Sequence, residues 1–209
     1  MAELTARDTK LIQYLNEAYG KEKELETALQ AHIAMTTRTP YKRRLQDHLK
    51  ETKGHARGLE RRIKQLGGKA EVVPAPGPVA DAAGAVTSAA SKAVSAAKGP
   101  LHMLRGTGEQ EKMLKNAKTE YSEEHEEIAT YSAIETLADA VGDSETAKLA
   151  RGIRREEERM ARFLERQIPT LTKAVTREEI PAAERRSNGR PRRRRSSSSG
   201  TRRRSRSRS

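Results

Sequence analysis

The chain contains no cysteine, which excludes a disulfide framework, a thiolate zinc site, a cysteine nucleophile and a cysteine-ligated iron–sulfur cluster. Long apolar runs are also missing. Asp8, Lys10 and Glu17 interrupt the N-terminal stretch, so nothing there resembles a secretory signal or a membrane span of about 20 apolar residues. The expectation is a soluble, cytoplasmic protein. No segment alternates like a strand. Neither a phosphate-binding glycine loop nor a GxSxG nucleophile motif occurs, and no serine lies in an activating context.

What is abundant is charge: 42 Lys+Arg against 29 Asp+Glu, a net of +13, in 209 residues. The excess is local. Residues 185–209 hold 12 Arg, 8 Ser and no acid, which leaves residues 1–184 with 30 basic and 29 acidic side chains. The chain therefore divides into a nearly neutral body, residues 1–180, and a basic Arg/Ser tail, residues 181–209, that cannot bury a core and is expected to be disordered.

In the body, Leu11, Leu15, Ala18, Leu25, Leu29 and Ile33 recur at helical spacing from about Thr5 to Thr37, where Thr39-Pro40 ends the pattern. A second stripe (Leu45, Leu49, Thr52, Ala56, Leu59, Ile63) runs from about Tyr41 to Leu66 and stops at Gly67-Gly68. A third helix is predicted from about Glu109 to Val141. A fourth runs from the Gly142-Asp143-Ser144 turn to about Ile168, with Pro169 ending or bending it and residues 170–180 adding another turn or two. Between the second and third lies a crossover, residues 67–108, in which Val79–Lys98 has nine Ala in twenty residues and reads as a short, thin helix. Two helical hairpins joined by one long crossover make an all-α four-helix bundle of the ferritin-like kind.

An internal repeat supports the hairpin pairing. Lys50–Leu66 and Arg155–Leu171 match at a constant offset of 105, with Glu51/Glu156, Ala56/Ala161, Arg57/Arg162, Leu59/Leu164, Glu60/Glu165, Arg61/Arg166, Ile63/Ile168 and Leu66/Leu171 identical. The first and third helices match only at Tyr19/Tyr121, Glu22/Glu124 and Glu24/Glu126.

Acids inside the apolar stripes carry the chemistry. Glu22 falls where a bundle wants a hydrophobe, Glu51 and His55 flank the second stripe, Glu124 with Glu127 interrupt the third, and Glu157 sits between Ile153 and Met160. An isolated buried carboxylate costs several kcal/mol unless it is paired or binds metal, and one or more on every helix is what a carboxylate-bridged dimetal site requires. His48 reads as a partner orienting Glu51, His32 and His102 as surface or crossover residues, and Tyr19, Tyr121 and Tyr131 as core aromatics whose hydroxyls reach a buried acid.

LNEAYGKEKELETAL (Leu15–Leu29), HLKETKGHARGLE (His48–Glu60) and EEHEEIATYSAIETLA (Glu123–Ala138) resemble the corresponding helices of the YciE/YciF-type ferritin-like proteins, which are bacterial and often stress-associated. The resemblance spans roughly residues 8–172. It implies a ferritin-like bundle, dimeric, with a dinuclear iron or manganese centre whose ligands by position are Glu22, Glu51, His55, Glu124 or Glu127, and Glu157. The chain departs from the usual ferritin-like pattern of Glu-x-x-His on both the second and fourth helices: Glu51 and His55 are four apart, and Met160 stands opposite His55 in the repeat.

The tail's guanidinium groups, Arg192, Arg193, Arg194, Arg195, Arg202, Arg203, Arg204, Arg206 and Arg208, suit nonspecific, salt-dependent binding of DNA or RNA. No aromatic interleaves them, so base stacking is not encoded beyond arginine itself. Alternating Arg-Ser also permits charge switching by phosphorylation. Two functional readings are open. One is a nucleoid-associated dimetal protein that oxidises Fe(II) with oxygen or peroxide, parallel in design to the DNA-protecting ferritin-like proteins of starved bacteria. The other is a metal-free helical scaffold whose buried acids pair with arginine and whose tail supplies the only activity.

Overall fold

The computed structural model describes residues 4–72 and 108–185, and these form four long helices: α1 (Ala6–Met35), α2 (Thr39–Gln65), α3 (Glu109–Ala140) and α4 (Ser144–Glu179). The Ala-rich crossover segment and the arginines from 186 onward lie outside the described residues. Residues 181–184 are exposed and succeed α4 as a turn. Each helix boundary has a local cause. Thr5 caps α1 by accepting the Asp8 amide through its hydroxyl at 3.1 Å. Pro40 begins α2 instead of merely ending α1, because the first turn of a helix needs no amide proton from it.

The C-terminal ends of α2 and α3 use the same device. Gly67 (φ 85°) and Gly142 (φ 73°) take the left-handed conformation, and the next amide reaches back to a carbonyl five residues earlier, Gly68 to Ile63 at 2.9 Å and Asp143 to Ala138 at 2.8 Å. Asp143 then caps α4. Its carboxylate accepts from the Thr146 amide at 3.0 Å and hydroxyl at 2.9 Å, and from the Arg62 guanidinium at 2.7 Å. This ties the end of α2 to the start of α4. Although burial opposes ionisation, Arg62 and Thr146 hold the Asp143 carboxyl below its ordinary pKa. An Asp143→Ala chain should lose about 1–2 kcal/mol, since it forfeits a cap and one of the two carboxylates that hold the Arg62 guanidinium. Urea unfolding measures this directly, and a loss under about 0.5 kcal/mol would show the network to be ornamental.

Pairing is fixed by the side-chain contacts. His32 meets Glu120 and Glu22 meets Tyr131, so α1 and α3 are antiparallel; His55 meets Glu156 and Arg62 meets Thr146, so α2 and α4 are antiparallel as well. Because α1 and α2 also form a hairpin, α2 and α3 point the same way. These are the helix directions of a bundle with a single long crossover. Leu25, Leu29, Tyr41, Leu45, Met113, Leu164 and Leu171 fill one end of the core; Leu15, Leu59, Ile63, Ile134 and Ile153 fill the other. Each fully buried aliphatic side chain contributes about 1.5–3 kcal/mol.

Of the two readings of Pro169, the structure excludes an end: α4 continues past it to Glu179, slightly farther than the further turn or two expected. Leu171 is fully buried and Val175 packs beside it, so burial beyond the proline outweighs the one hydrogen bond it removes.

Candidate metal centre

Between the two apolar clusters the core turns polar. Glu22 of α1, His48 and His55 of α2, Glu124 and Glu127 of α3, and Glu157 of α4 are all buried. They sort into two groups. Glu22, His55 and Glu157 each offer a donor atom within 4.8 Å of the others, as do His48, Glu124 and Glu157. Glu157 is common to both. Its Oε1 lies 2.9 Å from His55 Nδ1, and its Oε2 lies 3.7 Å from His48 Nε2. His55 Nδ1 is also 3.3 Å from Glu22 Oε1, and His48 Nε2 is 2.9 Å from Glu124 Oε1.

These separations are short, yet the atoms are not aligned as hydrogen bonds. Glu22 Oε2, His48 Nε2, His55 Nδ1 and both oxygens of Glu124, Glu127 and Glu157 are buried without a hydrogen-bond partner. Buried donor atoms gathered on a shared space without a hydrogen-bond partner are what a cation that displaces their protons needs. The donor set, carboxylate oxygens completed by imidazole nitrogens, fits iron or manganese. Among the described residues no arginine reaches Glu22, Glu124, Glu127 or Glu157; Arg154, an obvious candidate, pairs with Glu135 and Glu158 instead.

The outer nitrogen of each histidine is held by a carboxylate: His48 Nδ1 by Glu51 at 3.1 Å and His55 Nε2 by Glu156 at 2.8 Å. Such a pairing fixes the ring and strengthens its inner nitrogen as a donor. Glu51 and Glu156 are the identical pair of the internal repeat, so the two halves of the duplication supply the same orienting group. The repeat also explains the broken Glu-x-x-His pattern. At the 105 offset, α2 has Thr52 and His55 where α4 has Glu157 and Met160, so each helix keeps one member of the motif. The fully buried Thr52 hydroxyl donates to the His48 carbonyl at 3.0 Å.

The structure thus brings together Glu22, His55, Glu124, Glu127 and Glu157, and leaves Glu51 at the rim, its side chain 28% exposed and bonded to Arg44 at 2.9 Å as well as to His48. The expected roles of Glu51 and His48 exchange places: the histidine faces the cluster and the carboxylate steadies it. The signal was in the spacing. Seven residues advance a helix by nearly two whole turns, so His48 and His55 point within about 20° of each other, while Glu51 lies about 40–60° farther round, away from the stripe.

Electrostatics reflect the crowding. Burial would lower the His48 and His55 pKa values, but the facing carboxylates overcome it and raise them to about 10 and about 11. Burial pushes Glu124 up to about 8 despite His48. Glu127, desolvated and surrounded by Glu22, Glu157 and Glu124, is raised well above the carboxylate range. Glu157 opposes its own burial through His55 and His48 and stays low. Tyr131 donates its hydroxyl to Glu22, as the sequence suggested for a core tyrosine.

One buried acid escaped notice in the sequence. Glu120 is fully buried, accepting from the Tyr41 hydroxyl at 2.6 Å and lying 2.6 Å from His32 Nδ1. His32 is therefore no surface residue but a partner that satisfies this carboxylate, joining α1, α2 and α3.

Four helices contributing inward carboxylates and imidazoles from facing positions, with one long crossover, define a ferritin-like bundle. The chain belongs to the family described as Domain of unknown function (DUF892), matched over residues 6–177. No curated protein matches the chain. Among solved structures it is similar to a protein from Xanthomonas campestris pv. campestris, at 25% identity and TM-score 0.62, covering 83% of this chain and 98% of that one. It is similar to the stress protein YciF of E. coli at 18% identity and TM-score 0.58, covering 81% and 98%. The bacterioferritin of Desulfovibrio desulfuricans, described with a diiron site, matches at 18% identity and TM-score 0.59, covering 83% and 86%. Among the described residues no helix is long and apolar enough to cross a membrane.

Proposed function

We propose that the bundle holds a dinuclear iron or manganese centre and consumes oxygen or peroxide in the stress response, while the arginine tail holds the protein to nucleic acid. The observation that carries the metal reading is Glu157, whose two oxygens each face a separate histidine–glutamate set. In this reading Glu22 with His55, and Glu124 with His48, are the terminal ligands of the two ions. Glu157 would be shared between the two sets, and Glu127 would supply further carboxylate charge. An iron pair held there would supply two electrons, enough with two protons to reduce one peroxide to two waters or one dioxygen to peroxide as two Fe(II) become Fe(III), and so would limit hydroxyl-radical formation.

The chain's own residues set the conditions for that chemistry. Glu51 and Glu156 keep the imidazoles in register, and the apolar clusters on either side exclude bulk water. Tyr131 holds a proton against Glu22. In the tail, Arg192, Arg193, Arg194, Arg195, Arg202, Arg203, Arg204, Arg206 and Arg208 would bind phosphate without reading sequence. The protein would then work in the cytoplasm near the nucleoid, as a homodimer.

The test is metal content per chain in tag-free protein after anaerobic Fe(II) or Mn(II) loading and desalting, using both the full chain and one ending at Arg185. About two ions per chain in both are expected. DNA binding in the full chain alone should weaken steeply with salt. No retained metal would leave the scaffold reading, with function confined to the tail.

A further inference from the structure

Between α1 and α3 lies a cavity of about 100 Å³ lined by Lys21, Glu24, Leu25, Ala28, Glu123 and Glu127. Its acids form a gradient of burial. Glu24 is exposed, Glu123 is half-buried with Oε2 enclosed and unpartnered, and Glu127 at the floor is 1% exposed with both oxygens unpartnered. Glu24 and Ala28 are one turn apart on α1, as are Glu123 and Glu127 on α3, so the two helices present facing ladders. Glu127 in turn interacts with Glu22, Glu157 and Glu124. Lys21 stands at the mouth, drawn to Glu126 at 2.7 Å.

We propose that divalent cations reach the buried centre through this α1–α3 cleft, passed from Glu24 to Glu123 to Glu127. The proposal rests on the metal-centre reading and adds the route. Without a route, four helices packed around a buried polar core would load only when the bundle opened. Each open carboxylate oxygen along the cleft replaces part of the hydration shell a cation sheds on going inward, and the acidic lining raises its local concentration. A larger opening, about 400 Å³, lies between α2 and α4, where Leu149, Gly152 and Ile153 are joined by Lys148 and by two carboxylates that are already paired, Glu145 with Arg62 and Glu156 with His55 and Arg159. Its carboxylates are held by cationic or imidazole partners beside a lysine, whereas Glu123 and Glu127 in the α1–α3 cleft keep enclosed oxygens without a hydrogen-bond partner.

Co(II) uptake by the full, metal-free chain tests this, monitored by its visible absorption in a stopped-flow instrument at low ionic strength, with equilibrium stoichiometry measured separately. A Glu24→Gln/Glu123→Gln chain should take up Co(II) about tenfold more slowly at unchanged stoichiometry, because steering and not ligation is lost. Ala28→Phe, which narrows the cleft, should slow uptake likewise. Gly152→Trp, where a side chain meets nothing within 4 Å, should leave the rate alone. Native rates in both cleft variants, or slowing by Gly152→Trp instead, would overturn the route. A native chain that binds no Co(II) at equilibrium sinks the centre and the route with it, and that result appears before any rate is compared.

Discussion

A Glu157→Ala chain should lose both metal ions, whereas Glu22→Ala and Glu124→Ala should each lose one. The asymmetry comes from geometry. Glu157 Oε1 belongs to the Glu22–His55 set and Oε2 to the His48–Glu124 set, so its removal opens both shells, while each terminal carboxylate serves only one. Metal content after desalting, alongside helical circular dichroism to establish that each chain is folded, reads the result. A Glu157→Ala chain that keeps about one ion would mean two independent sites and no bridge. The orienting carboxylates give a different signature. Glu51→Gln and Glu156→Gln leave every inner donor in place, so both ions should remain at saturation but bind about 10–100-fold more weakly. Complete loss of one ion in Glu51→Gln would instead make that carboxylate a direct ligand, as the family resemblance implies.

Much of the bundle was legible in the sequence because helix formation here is governed by local pattern. The stripes, the Gly67 and Gly142 stops and the Asp143 cap mark boundaries that the structure places within a few residues. Which of the two readings of Pro169 holds was not legible, because the burial that carries α4 past it comes from α1, α2 and α3, which no local window contains. Within the centre, the acids announced themselves by sitting at apolar positions. The exchange between His48 and Glu51 depended on tens of degrees around one helix, finer than a one-turn argument resolves. Glu120 lay hidden for another reason: its partners, His32 and Tyr41, sit 88 and 79 residues away in the chain, and only packing brings them together.

Replacing Glu127 by leucine should stabilise the metal-free protein. Glu127 is buried beside the cluster, its oxygens unpartnered and its charge opposed by Glu22, Glu157 and Glu124, so burying it costs free energy that no hydrogen bond offsets. An apolar side chain of similar volume removes that cost, worth about 1–4 kcal/mol, or roughly 5–10 °C in Tm. The pH dependence gives the same argument a sign. Glu124, raised to about 8, and His48 and His55, raised to about 10 and about 11, bind more protons folded than unfolded. Their contribution is complete below the unfolded pKa values and is lost as pH rises through the folded ones. Glu51, lowered to about 2, acts oppositely but only in acid. Metal-free protein should therefore be most stable near about pH 5 and lose stability toward about pH 9. Glu127→Leu should raise Tm most at the alkaline end, where the native cluster is forced to ionise. Mn(II) should stabilise the native chain most strongly there too, because ligands already shedding protons bind cations more tightly. A Glu127→Leu chain that melts lower than native at every pH would show the carboxylate to be a structural partner, and the cluster to be held together by protons alone.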